Sequence, residues 1–189
     1  KFTPAVTGVL TLNTDFSATE VDDRQVNLTR FSLFFPEKRD FFLQDADIFE
    51  FGGIGGGNNL RIATQNGRPF FSRNIGLSAS REPVDLDVGA KLTGRVGDWN
   101  FGALSVQQDK FGDIDATNVF VGRAVRNVLE QSRVGFIMTD GDPQSNSDNS
   151  LAGFDFRYLN SRLPGGRTLD GDAWVQRTDT PGLEGSDSA

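Results

Sequence analysis

Hydrophobic and polar positions alternate with a period of two over much of this chain, the mark of strands with one apolar and one polar face. Val9–Phe16 opens the pattern: Leu10, Leu12 and Phe16 point one way, and Thr11, Asn13 and Asp15 the other. Gln25–Phe34 repeats it, with Val26 and Leu28 against Gln25, Asn27 and Thr29. The alternation is clearest from Asp87. Val88, Ala90, Leu92, Gly94 and Val96 share one face, and Asp87, Gly89, Lys91, Thr93 and Arg95 the other. Gly97-Asp98 predicts a tight turn and Trp99–Gln107 a return strand, which loses phase near Ala103-Leu104 as a bulge would. Asn118–Val128 with Ser132–Thr139, and Leu151–Leu159 with Leu169–Arg177, predict two more hairpins. A polar loop spans Asp140–Ser150, and Thr178–Ala189 reads as a loose polar tail.

One stretch departs from this pattern. Seven of the 22 residues from Arg30 to Phe51 are Phe, and Glu37, Lys38, Arg39 and Asp40 lie between two Phe pairs. Pro36 ends the preceding strand. Glu37–Phe51 reads either as a short amphipathic helix, with Phe41, Phe42, Ala46 and Phe49 near one face, or as an irregular loop pinned by its rings. Gly52–Asn59 is glycine-rich. It lacks the Gly-Lys-Ser/Thr ending of a phosphate loop and the strand-loop-helix unit of a dinucleotide site, so it reads as a connection. Pro69–Gly76 reads as a short strand or strand entry.

The expected fold is therefore all-β. It is a single region over residues 1–189 of antiparallel up-and-down hairpins, with a Phe- and Gly-rich insertion at 36–59 whose part near 36–51 is a short helix or loop. Two architectures fit strands with one apolar and one charged face. In a soluble sandwich the apolar face is the core. In an outer-membrane barrel it meets lipid, and the charged face lines the lumen. Strand lengths of nine to eleven residues, the up-and-down order and aromatics near strand ends (Trp99, Phe111, Tyr158, Trp174) favour the barrel.

Composition narrows the chemistry. With no Cys and no His, disulfides, thiol nucleophiles, His-based zinc sites and Ser-His-Asp triads are excluded for this chain. A net charge of -7 with no Lys/Arg cluster argues against a nucleic-acid partner. No cofactor is expected, no run of about 18 apolar residues marks a transmembrane helix, and no signal peptide is visible at Lys1. Lys91, Arg95, Asp155, Arg157, Asp170 and Asp172 are the candidate polar-face, or lumen-facing, residues. Glu37 and Arg39, set among Phe, are candidate buried charges expected to pair with Arg or Asp side chains of the polar face. Asp45, Asp47 and Glu50 form a small acidic cluster that could supply paired carboxylates for glycoside hydrolysis, and Asp140, Asp142, Asn146 and Asp148 could offer oxygens to calcium. A solvated acidic face and a plain exposed loop account for these two groups more simply. Asp22-Asp23-Arg24 reads as local ion pairing.

Three segments resemble a known bacterial family: Asn13-Thr-Asp-Phe16, Val21–Leu43 with its Phe-Phe-Pro-Glu-Lys-Arg core, and Phe71-Ser-Arg-Asn-Ile-Gly76. Gly89–Gly94, Val121–Arg126 and Ser132–Gly135 also look like it. Its barrel portion is known only as a domain of unknown function that commonly follows a signal peptide and a carbohydrate-binding-like (family-nine type) β-sandwich. The resemblance implies a Gram-negative outer-membrane β-barrel, of which this chain looks like the first strands. It implies outer-membrane lipid and the remainder of its own barrel as partners. It carries over no functional residues. Three functions follow as expectations: a structural or transport-type barrel, compatible with saccharides as solutes; a soluble carbohydrate-binding sandwich using Trp99, Trp174 or Tyr158; and a hydrolase.

Overall fold

β-branched and aromatic residues in alternation build strands because each side chain then packs on a pleated, half-covered surface. The computed structural model describes residues 5–14, 37–53, 67–80, 82–182 and 186–188 and places eight strands among them. They are β1 (Val6–Thr14), β2 (Leu86–Val96), β3 (Trp99–Gln108), β4 (Thr117–Val128), β5 (Ser132–Asp140), β6 (Ser150–Leu163), β7 (Arg167–Asp179) and β8 (Ser186–Ser188). They form one sheet in sequence order, every neighbour antiparallel. The protein is thus all-β and up-and-down. The sheet is unclosed, since among the described residues β1 and β8 do not pair. The expected strand Gln25–Phe34, the Asp22-Asp23-Arg24 group and residues 54–59 of the glycine-rich connection lie outside the described residues.

Three details differ from the sequence reading. The β2–β3 register runs unbroken through Ala103 and Leu104; the irregularity lies between Leu86 and Val88. That bulge lets Leu86 turn into the core while Val88, two positions on, faces out. Pro69–Gly76 is no strand. It holds a 3-10 turn at Ser72–Asn74, because its carbonyls are committed to a side chain described below. The tail is not uniformly loose, since β8 pairs with Gln176–Thr178.

Between helix and loop, Glu37–Phe51 resolves into both. One α-helical turn, α1 (Asp40–Leu43), precedes a 3-10 turn at Ala46–Phe49. Asp45 separates them with φ 55°, a left-handed conformation that stops α1 from continuing. This aromatic segment lies across one face of the sheet. Phe41, Phe42, Ile48, Phe49, Phe51 and Ile75 pack there against Leu86, Leu104, Val106, Val119, Val121, Ile137 and Leu151. The other face of the sheet is bare and apolar. Leu10 and Leu12 of β1 are 67% and 64% exposed, Phe154 of β6 57% and Val175 of β7 50%. The covered face thus carries both this apolar core and charged side chains such as Arg123 and Asp155, while the face left exposed is apolar along its middle.

Candidate functional site: the covered face

The Phe-Phe-Pro-Glu-Lys-Arg and Phe-Ser-Arg-Asn-Ile-Gly pieces, over 30 residues apart in sequence, meet at Arg39. Its guanidinium donates to Glu37 through Nε and Nη2 (both 2.8 Å), to the Ile75 carbonyl (2.6 Å) and to the Ser72 carbonyl (2.8 Å). It also stacks over the Phe42 ring at 4.2 Å. Ser72 Oγ donates to Glu37 Oε2, which with Oε1 gathers five donors in all. The expected partners were wall Arg or Asp side chains. Instead the two charges satisfy each other, because they sit two residues apart in an extended stretch that lets the fork fold back. Burial opposes ionisation of Glu37, but hydrogen bonds from Arg39 and Ser72 and the Arg39 charge outweigh it, and its carboxyl stays below its ordinary value.

The polar-face candidates of β2 hold the segment's middle. Lys91 Nζ donates to the Phe41 and Gln44 carbonyls at the open end of the α1 turn, where a cation is favoured. Thr93 Oγ1 donates to Asp45 at 2.7 Å. Arg95 bridges Asp45 (2.9 Å) and Asp47 (2.9 Å), but is itself 48% exposed. Hydrogen bonds from Thr93 and Arg95, more than the charges of Arg95 and Lys91, hold the Asp45 carboxyl below its ordinary range.

Further across the sheet, the Asp155 carboxylate of β6 meets Arg123 of β4 in a bidentate pair, at 2.5 and 2.9 Å, with both side chains buried. The Gly52 amide donates to Asp155 Oδ2 at 3.2 Å, so the segment ends on this pair. The Phe51 ring lies over Arg123 at 5.6 Å. Space for these rings comes from strand glycines. A Cβ on Gly102 would fall 2.7 Å from the Phe49 ring, and one on Gly153 2.9 Å from the Phe51 ring. Gly52 itself has φ +58° and sits against Trp174, where a Cβ would come within 2.7 Å of the indole. Toward the rim Arg157 pairs with Asp170 at 3.0 Å, and Asp172 lies against Gly53.

All six polar-face candidates thus share the covered face. Lys91, Arg95 and Asp155 touch the aromatic segment directly, Asp172 lies beside its end, and Arg157 and Asp170 pair apart from it. Arg123 was missed, although the run Val119, Val121, Arg123, Val125 puts one guanidinium among valines on a single face. Gln108 was missed too. It accepts from the Gly76 amide and donates to the Pro143 carbonyl, tying the segment's far limb to the 141–149 loop.

The alternative chemistries gain nothing. Among the described residues no group of three acidic side chains is placed to hold a metal ion. Asp45 and Asp47 are committed to Arg95. Asp142 caps its own loop through the Gln144 amide and Ser145 hydroxyl, and Asn146 is spent on the backbone of Asp113 and Asp115. The three candidate sugar-stacking rings share no groove. Trp174 alternates onto the covered face, while Trp99 and Tyr158 lie on the bare one, on different strands. Residues 3–93, which hold β1, the aromatic segment, the Ser72–Asn74 turn and most of β2, match the family model of a domain of unknown function (DUF5916). No curated protein and no solved structure matches the chain.

Proposed function

We propose that this sheet is a sector of a bacterial outer-membrane β-barrel whose inner wall carries the aromatic segment as a fixed plug. It would act as a structural or transport-type element for polar solutes, saccharides among them. One observation carries the reading: the exposed apolar face of the sheet. Aliphatic and aromatic side chains in adjacent strands stand bare, among them Leu10, Val88, Leu92, Val134, Phe154 and Val175. Water would oppose so continuous a patch; lipid requires it. On the other face Arg123 and Asp155 are paired and buried, and the segment lying on it buries its own Arg39–Glu37 pair. Strands such as β2, with 11 residues, are long enough for a tilted crossing. The unpaired edges need partners in lipid, and the remainder of the barrel would supply them.

The plug reading follows from magnitudes. Each buried Phe or Ile of the segment contributes about 1.5–3 kcal/mol, so Phe41, Phe42, Ile48, Phe49 and Phe51 together give on the order of 10 kcal/mol before entropy. Displacing the segment would forfeit that, so it fills this sector of the wall rather than gating it. The test is circular dichroism and sedimentation of the purified chain with and without detergent micelles. A β spectrum and a defined species only in detergent are expected. A monodisperse β protein in plain buffer would overturn the reading and make carbohydrate binding the next assay.

A further inference from the structure

The two ends of the sheet are unlike. At one end the connections are short: Gly97–Asp98, residues 129–131 and residues 164–166. At the other they are long: residues 109–116, residues 141–149 and the whole excursion between β1 and β2. The long loops are organised. The Asp115 amide donates to Asn146 Oδ1 (2.8 Å), and Asn146 Nδ2 donates to the Asp113 carbonyl (2.9 Å). They are also acidic, with Asp109, Asp113, Asp115, Asp142 and Asp148 against Lys110 alone. Barrels of the outer membrane keep short turns on the periplasmic side and long loops outside.

The aromatic segment crosses between these ends. Thr14 pairs with Leu86, so the chain leaves β1 and enters β2 at the long-loop end. Gly76 is tied to Gln108 at that level. Phe41 reaches Gly89, Gln44 reaches Lys91, and Asp45 and Asp47 reach Arg95, next to the short Gly97–Asp98 turn. From Leu86 to Arg95 are about nine residue steps of about 3.3 Å, ~30 Å along the strand. The geometry points to an assignment that rests on the barrel reading. The loop end faces the outside medium, the plug enters from there, and its acidic tip, Asp45–Asp47, lies at the periplasmic mouth. By chain order alone the whole β1–β2 excursion would belong outside; the contacts of Arg95 put its tip at the other end.

The chain has no cysteine, so single-cysteine labelling in intact cells producing the whole protein, with any cysteine outside this chain replaced by Ser, reports these positions alone. Lys110→Cys and Ser147→Cys mark the loops, Asp98→Cys the short-turn end and Ala46→Cys the tip; all four positions are exposed. An impermeant maleimide should label the loop pair in intact cells, and Asp98→Cys and Ala46→Cys only after the outer membrane is opened. Labelling of Ala46→Cys together with the loop pair, or of Asp98→Cys before them, would overturn the assignment. Equal labelling of all four in protein from the soluble fraction would remove the barrel reading itself. Recovery of each variant in the membrane fraction checks folding separately.

Discussion

Replacing Asp155 by Ala tests whether the covered face is a dry interior. In the folded protein the Arg123 and Asp155 side chains are 0% and 3% exposed, joined at 2.5 and 2.9 Å. The substitution strands a guanidinium between strands and the Phe51 ring. Breaking a buried pair by removing one partner costs about 3–5 kcal/mol. The Gly52 amide loses its acceptor as well, which adds about 1 kcal/mol. The assay is urea unfolding of the micelle-bound chain, followed by circular dichroism. With a slope of about 2 kcal/mol per molar, the midpoint should fall by roughly 2 M. The double variant Arg123→Met/Asp155→Leu removes both charges and should recover most of that loss, because a well-packed apolar pair is about as stable as a buried ion pair. A single-variant cost below about 1 kcal/mol would mean that water reaches the pair and would refute the argument. A double variant as unstable as the single one would refute it as well.

Gly153→Val should push Phe51 off the wall and cost about 1–3 kcal/mol as overpacking; the check is a red shift of Trp174 emission in a Trp99→Phe background, since Phe51 packs 6.1 Å from Trp174. Arg39→Lys keeps the charge but loses the fork that reaches Glu37, Ser72 and Ile75 together, so thermal melting should show it nearly as destabilised as Arg39→Ala. Asp45 has a folded-state pKa below its ordinary 3.8, so its contribution is whole at neutral pH and is lost as acid takes the pH down from about 3.8 through the lower folded value. Melting between pH 5 and 3 should therefore show a steeper loss for the parent chain than for Asp45→Asn. At 1 M salt, where charges are screened beyond about 3 Å, the segment should stay docked, read by unchanged hydrogen exchange of the Ile48 amide.

Most of the sheet was legible because period-two alternation is a property of the strand itself. The hairpins at Gly97-Asp98, 129–131 and 164–166 follow from it. What alternation cannot say is which face is covered, since a sandwich core and a lipid-facing wall give the same pattern. Only the seating of Phe41, Phe49 and Phe51 on the Lys91–Asp155 face decides that, through contacts between residues far apart in sequence. Local propensity also misled at Pro69–Gly76. Its Phe and Ile suggest a strand, but the Ser72 and Ile75 carbonyls are taken by Arg39, which no window of neighbouring residues contains. Arg123 was passed over because a lone charge among valines looks like noise in the alternation unless its partner 32 residues away is known.

The two kinds of ion pair on this face do different work, and their burial shows which. Arg95 is half exposed, so its bridges to Asp45 and Asp47 are each worth about 0–1 kcal/mol. Against some 10 kcal/mol of ring burial they cannot hold the segment in place. They can set its register. Aromatic burial is nearly indifferent to a shift along the wall, whereas a fork that must meet two carboxylates tolerates little displacement. The Gly102 and Gly153 sockets act in the same sense, admitting a ring at one position and excluding it beside a side chain. Arg123 and Asp155 fix the far end against the Gly52 amide, so the segment is pinned at its middle and at its far end, with rings packed between. The phenylalanines therefore supply the affinity of this intramolecular contact, and the charges and glycines supply its uniqueness.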